Sequence, residues 1–305
     1  MAASHNGLTT AIRTVGLTKD YGDGHGVFDL DLQVHAGEVF GFIGPNGAGK
    51  TTTIRLLMDL VRADRGIATI YGLDSRRDSV AVKRITGYLP GELPSFAGFT
   101  GGQLLELFAN LRGGVALERM QTLADRFQLD LSRRYRDYSH GNKQKLLLVQ
   151  AFMHGPRLVV LDEPTLGLDP VMQREFRQLI RETASTGATV FLSSHVLSEV
   201  EKACDRIAII AQGRLRRVGT MSELRQLSVH NVEATIDSSL EPSRLVAIPG
   251  VSDVQVENHH VRCRVRGRVA PLLEVLNAAG VVEIDSQEMS LEELFLEQYS
   301  QPLAS

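Results

Sequence analysis

Cysteine is scarce in this chain of 305 residues: Cys204 and Cys263 are the only two. They lie far apart in sequence and share no metal-type spacing, which excludes a disulfide framework and predicts two reduced thiols in the core. No apolar run approaches the roughly 18 residues that a membrane-spanning helix needs. The opening MAASHNGLTT has neither a basic region nor an apolar core of the secretory kind. The expectation is a chain that is neither secreted nor membrane-spanning by itself, so that any work at a membrane needs spans supplied by another subunit. Positive charge is not in excess either. A net charge of -3 and a pI near 6.3 give no global attraction to nucleic acid. With 43% hydrophobic and 23% charged residues, the length suits one large globular domain and a smaller one.

Against these absences stands one dense local feature, FIGPNGAGKTTTIRLL at residues 42–57. Gly44, Gly47 and Gly49 leave main-chain N–H groups uncovered, and a helix starting at Lys50 adds unpaired amides and the positive end of its dipole, which together make a cradle for a polyanion. The spacing is G-x-x-x-x-G-K-T. In that pattern Lys50 reaches the terminal phosphates, and the Thr51 hydroxyl is a ligand for the magnesium ion they carry. A plain glycine turn is the alternative, but chance gives these four positions in only about one chain in a hundred of this length. Context strengthens the motif: Val39, Phe40, Phe42 and Ile43 read as a buried strand before it, and Ile54, Leu57, Met58 and Val61 keep a helical spacing after it.

Two styles of organisation follow along the chain. VFDLDLQVH (27–35) sets Phe28, Leu30, Leu32 and Val34 against Asp29, Asp31, Gln33 and His35, the alternation of an antiparallel strand with one wet face. RLVVLDEP (157–164), ATVFLSSH (188–195) and RIAIIAQG (206–213) are solid apolar runs, as in a mainly parallel sheet covered on both faces. Between Gly98 and Pro156 the pattern is helical, with Leu104, Leu107, Phe108 and Leu111 on one stripe and Leu123, Ala124 and Phe127 on another. After Leu227 the order strand, helix, strand, strand, helix, strand predicts a ferredoxin-like unit, with a hairpin turn at Asn258, His259 and His260. A last helix is expected from Ser290, with Glu293 as its capping-box partner. Arg262, Arg264, Arg266 and Arg268 alternate along one strand and its end, and four charges in an acidic chain favour a solvated face over a phosphate-binding stripe.

RLVVLDEP carries Asp162 and Glu163 to the end of a buried strand, the edge of the sheet at which the phosphate loop also opens. Asp162 can hold Mg²⁺ from the side opposite Thr51, and Glu163 can polarise the attacking water. A surface turn before Pro164 would be the reading of an isolated DEP; the apolar run argues against it. His195 ends the next apolar strand and arrives at the same edge, within reach of a γ-phosphate, although a lone histidine is more often structural. In DYSHGNKQKLLLVQ, Ser139 and Gly141 stand at a helix mouth where a hydroxyl and bare amides could grip phosphate, a weak signal by itself.

In this order the segments resemble the ATPase subunit of an ATP-binding cassette (ABC) transporter over about residues 11–220. GPNGAGKT is similar to the family's phosphate loop, YSHGN to its signature LSGGQ, LVVLDEP to its metal and catalytic carboxylates, GLDP to the loop carrying Asp169, and SSH to the switch histidine. Tyr21 in TKDYG matches the aromatic residue that stacks on adenine. The ending SLEELFLEQY and the small domain resemble drug and antibiotic exporters of the daunorubicin-resistance type. The resemblance implies an α/β P-loop ABC ATPase domain over 1–227, with a mainly parallel core sheet, an antiparallel β subdomain and a helical subdomain at about 98–156, followed by a ferredoxin-like accessory domain over 228–305. It implies ATP and Mg²⁺ as cofactors, with nucleotide held by Tyr21, Gly44, Pro45, Asn46, Gly47, Ala48, Gly49, Lys50, Thr51, Thr52 and Asp169 and, from across a head-to-tail dimer, by Ser139 and Gly141. Metal binding falls to Thr51 and Asp162, and catalysis to Glu163 and His195. The implied partners are a second copy of the chain and an ABC-2 type permease docked near residues 91–110, at the cytoplasmic face of the cell membrane, with no nucleic acid. The implied function is export of drugs, antibiotics or other hydrophobic compounds.

Two segments depart from the family pattern. His140 and Asn142 stand where Gly and Gln are usual, and Gly91 stands where a glutamine usually touches the metal and the attacking water, with Glu92 as its possible substitute. A non-transport ATPase of the same superfamily, acting on the ribosome or on nucleic acid, is the alternative function. It would need a second cassette or a long coiled coil, and the chain has one phosphate loop and no heptads.

Overall fold

The computed structural model describes residues 9–96, 98–220, 222–223 and 229–288. They form two compact units that divide between Gly219 and Thr220. The helix expected from Ser290 lies outside the described residues.

The first unit contains two sheets. One is antiparallel, in the order β2-β1-β4-β5, from β1 (Thr10–Asp20), β2 (Gly26–His35), β4 (Arg65–Ile70) and β5 (Leu73–Asp74). In β2 the alternation buries Leu30, Leu32 and Val34 and exposes Asp29, Asp31 and Gln33. Before Leu30 the phase slips. Asp29 takes φ 49°, so Val27 is buried in place of Phe28, which is half-buried.

The other sheet has the order β10-β9-β3-β8-β7-β6, where β3 is Val39–Ile43, β6 Thr86–Leu89, β7 Leu158–Asp162, β8 Thr189–Ser194, β9 Arg206–Ala211 and β10 Arg214–Thr220. Strands β9, β3, β8, β7 and β6 pair in parallel. Every residue of β3, β7 and β8 is buried. Phe191 stacks on Phe40 at 5.9 Å and packs on Phe42 at 5.5 Å. Each such ring contributes about 1.5–3 kcal/mol by leaving water, which makes these strands the fixed part of the molecule. Gln212 and Gly213, at φ 51° and 70°, form the two-residue turn that folds β10 back on β9. Ile43 lies beside Ser194 and Ile209, and Asp162 beside Ser193. Parallel register therefore brings the chain segments after β3, β7 and β8 to one edge.

Helix α1 (Lys50–Leu57) buries Ile54 and Leu57 but ends before Val61, and α2 (Ser79–Ile85) leads into β6. The helical layer comprises α3 (Gly101–Leu111), α4 (Leu117–Arg126), a short 3₁₀ turn (Tyr135–Asp137) and α5 (His140–Phe152). The stripe expected on α3 is corrected: Leu104, Leu105 and Ala109 form its buried face with Phe108 half-buried, whereas Leu107 is 39% and Leu111 75% exposed. The buried face is centred between Leu105 and Phe108, and Leu111 ends the helix just before the glycines Gly113 and Gly114. On α4, Leu123 and Ala124 are buried, as is Phe127 after it. Helix α5 is buried around most of its surface from Leu146 to Phe152, as expected of an apolar helix between layers. Two more helices, α6 (Pro170–Ser185) and α7 (Leu197–Glu201), flank β8.

The second unit is built from β11 (Val229–Ile236), α8 (Pro242–Val246), β12 (Val251–Glu257), β13 (His260–Arg266), α9 (Ala270–Ala278) and β14 (Val281–Glu288). Its sheet order β12-β13-β11-β14 is antiparallel throughout, the ferredoxin-like arrangement. The hairpin turn consists of Asn258, at φ 53°, and His259; His260 already belongs to β13. Arg262 pairs with Glu233 and Arg264 with Asp253, so this basic stripe is a salt-bridged, solvated face. Cys204 and Cys263 are both buried free thiols, and burial pushes Cys263 up to about 11.

Candidate functional site

The loop between β3 and α1 is shaped by its glycines. A Cβ on Gly44 would meet the Ile210 carbonyl at 2.3 Å, and Gly47 and Gly49 take φ 79° and 106°. Gly49 is the N-cap of α1 without a side-chain capping bond, and the first turn of the helix has no acidic residue. The positive end of the helix thus faces the loop uncompensated. Within the loop, Ala48 N–H donates to Pro45 O at 3.1 Å. From outside, Gly213 N–H donates to Ala48 O at 3.0 Å, and Gly213 O accepts from Phe28 N–H at 2.8 Å, which ties the loop to both sheets.

Lys50 is 6% exposed. Its Nζ donates to Gly44 O at 2.6 Å and Pro45 O at 3.2 Å and lies 3.3 Å from Glu163 Oε1. A buried ammonium held by two carbonyls and one carboxylate is kept in place for an anion that can outbid the carboxylate. Thr51 and Thr52 follow, partly exposed.

Asp162 ends β7, fully buried. Its Oδ1 accepts from Ser193 Oγ at 2.6 Å, while Oδ2 has no partner among the described residues. An orphaned buried acceptor costs about 1–3 kcal/mol, more when charged, so this oxygen is made for a cation. Glu163 stands next to it at φ 50°, its Oε2 2.9 Å from His195 Nδ1. Its own N–H donates to Ser193 Oγ at 3.0 Å, so one hydroxyl bridges both members of the carboxylate pair. Gln144 on α5, 3% exposed, donates to the carbonyls of Glu163 and Pro164, both at 3.2 Å. The sequence reading missed Ser193 and Gln144. Ser193 closes the apolar run TVFL beside a second serine, and Gln144 stands between two lysines, so neither stood out in the sequence.

Gly44 to Thr52, Asp162, Glu163 and His195 are therefore gathered at one sheet edge. Tyr21, Ser139, Gly141 and Asp169 are not: among the described residues no hydrogen bond or ion pair joins them to the phosphate loop. Ser139 caps α5, its Oγ accepting from Asn142 N–H at 3.3 Å. Gly141 packs so closely on the Gly167 carbonyl that a Cβ would lie 2.5 Å from it. Asp169 caps α6 through Val171 and Met172 N–H, both at 3.0 Å. Tyr21 is 54% exposed in the β1–β2 turn, with Lys19 Nζ 5.5 Å from its ring centre. Glu92 is 88% exposed and pairs with Arg55 at 3.2 Å, away from Asp162.

Among the described residues no cluster of three His, Cys, Asp or Glu side chains makes an all-protein metal cage. One buried carboxylate and one hydroxyl fit instead an ion that keeps waters and is shared with phosphates, the habit of Mg²⁺.

Comparison with known proteins agrees with this geometry. The family model described as ABC transporter matches residues 27–166. The uncharacterized ABC transporter ATP-binding protein YhcH of Bacillus subtilis is 32% identical over 298 residues, covering 95% of this chain and 96% of that protein. The daunorubicin/doxorubicin resistance ATP-binding protein DrrA of Streptomyces peucetius is 39% identical over 230 residues, 73% of this chain and 69% of that one. A solved structure of an ATP binding subunit of an ABC transporter is 31% identical, with a TM-score of 0.66 over 71% of this chain and 92% of its own. A phosphate cradle, a buried carboxylate pair and near full-length likeness converge, and the chain belongs to the ABC transporter family as an ATP-hydrolysing, ATP-binding subunit.

Proposed function

We propose that this subunit powers export of drugs, antibiotics or other hydrophobic compounds through a separate ABC-2 type permease, from the cytoplasmic face of the membrane. No described helix is long and apolar enough to cross a membrane, which is compatible with a transport path supplied by another chain. The likeness to a protein named for daunorubicin and doxorubicin resistance supports the choice of cargo. In this reading residues 1–227 are the motor, with 98–156 as its helical layer, and 228–305 an accessory domain for assembly or regulation.

The observation that carries the mechanism is Glu163 held between Lys50 and His195. A triphosphate in the Gly44–Thr52 loop brings oxygens that compete with Glu163 for Lys50 Nζ, and Glu163 is released toward the attacking water as its proton acceptor. His195 Nδ1 keeps the carboxylate oriented, leaving Nε2 to face the γ-phosphate. Thr51 and Asp162 would hold Mg²⁺, which would neutralise phosphate charge. Tyr21 would stack on adenine. Ser139, exposed at the mouth of α5, with Gly141 and Asp169 would complete the site of a second copy facing head to tail.

Purifying the chain from detergent-solubilised native membranes tests this directly. The expected result is a co-purifying multi-span permease subunit whose presence raises ATP turnover. A chain recovered on ribosomes or nucleic acid without a permease would overturn it.

A further inference from the structure

Gly91 follows β6 by two residues, one step past the point where the register that pairs Leu89 with Leu161 reaches Asp162, and it comes to lie against the Asp162 side chain. Its φ lies outside the left-handed region, so the backbone alone does not call for glycine. Proximity does. A Cβ at position 91 would lie 2.8 Å from Asp162 Oδ2 and 3.0 Å from Cγ, against the roughly 3.3–3.6 Å of an ordinary carbon–oxygen contact. The carboxylate has little room to yield, because it is fully buried and Ser193 Oγ holds Oδ1 at 2.6 Å. On the far side of Gly91, Glu92 ties the segment to α1 through Arg55.

We propose that Gly91 is a positioning residue for Asp162: having no side chain, it lets the backbone close on the carboxylate, which is held between Gly91 and Ser193 in the one rotamer that offers Oδ2 to a cation. The usual glutamine of the family cannot occupy this backbone without displacing Asp162. The orphaned Oδ2 is the free end of that arrangement. The inference rests on the assignment of Asp162 as the cation ligand.

Mn²⁺ binding to the full-length chain with a non-hydrolysable ATP analogue, followed by electron paramagnetic resonance, separates the two. Asp162→Asn must weaken Mn²⁺; if it does not, the Asp162 assignment fails and the inference with it. Gly91→Ala and Gly91→Gln should each weaken Mn²⁺ by about 10- to 100-fold, the range for groups that orient a metal ligand. Nucleotide affinity in excess chelator should stay within about twofold, because the loop amides and Lys50 are untouched. Ser193→Ala acts on the same carboxylate, so its loss and that of Gly91→Ala should not add. If Asp162→Asn lowers Mn²⁺ affinity and both Gly91 variants leave it unchanged, the positioning role is wrong. Equal loss of chelator-independent nucleotide binding in both variants also overturns it, since Gly91 would then support the fold and not the carboxylate.

Discussion

Ser193 donates its one proton to the Asp162 carboxylate and accepts the Glu163 backbone N–H, so the Asp162 side chain and the Glu163 main chain both depend on a hydroxyl that is itself fully buried. Glu163 meets Lys50 on one oxygen and His195 on the other. Replacing it with glutamine keeps the shape and removes the proton acceptor. Glu163→Gln should retain ATP binding and lower turnover by about 10²- to 10⁴-fold, measured with the permease present; near-normal turnover would take Glu163 out of the role. At this scale the sequence was legible where chemistry needs a pattern: the glycine spacing with Lys50 and Thr51, and the carboxylates at the end of an apolar run. Ser193 and Gln144 were not legible, because a serine beside another serine and a glutamine between two lysines look like ordinary polar positions and acquire meaning only from the partners they meet across the fold.

The helical layer meets the core sheet at Arg112. Its guanidinium donates to the Lys83 and Thr86 carbonyls, both at 3.2 Å, and lies 2.8 Å from His154 Nε2, so that α2, β6, α3 and the exit of α5 share one cation. Burial first, and then the charges of Arg112 and Arg119, lower His154 from 6.5 to about 4. The folded chain therefore keeps this imidazole neutral while the unfolded chain protonates it below about 6.5. Its contribution to stability is present above that pH and is lost progressively as pH falls toward 4. His154→Gln retains an acceptor for Arg112 and removes the titration. The melting temperature of the parent should fall more steeply than that of the variant between pH 6.5 and 4, and parallel curves would show that His154 does not couple to folding. Elements differ in how far their sequences declare them. β3, β7 and β8 announce themselves by unbroken apolar runs, whereas on α3 the adjacent Leu104 and Leu105 shift the buried face and leave Leu107 and Leu111 in water. Asp29 breaks the phase of β2 through a positive φ, which binary patterning does not encode.

At the scale of the whole molecule the two units own separate cores, one around Phe40, Phe42 and Phe191 and one around Leu245, Val265 and Leu272. Among the described residues no hydrogen bond or ion pair joins Ser139 or Gly141 to the phosphate loop, the arrangement a composite site requires. Lys50→Ala empties a chain's own loop and leaves its Ser139 intact, and Ser139→Arg does the reverse. Each alone should be nearly inactive. Mixed under conditions that let subunits exchange, they form dimers with one doubly damaged and one undamaged site, and partial ATPase activity should return. Normal hydrolysis by the Ser139→Arg chain alone would exclude the signature helix from catalysis. On the head-to-tail proposal half of each site belongs to another copy, which is why Ser139 and Gly141 are a weak signal in the sequence alone.

Gly213 carries a further consequence. It is a turn residue of the parallel sheet, yet it grips Ala48 with its N–H and Phe28 with its carbonyl, threading the phosphate loop between two sheets of unequal robustness. One sheet is sealed in on both faces, while the other keeps a wet side. Such a joint makes the cradle a shared possession of both sheets: its shape is upheld by the wet sheet as much as by the sealed strands.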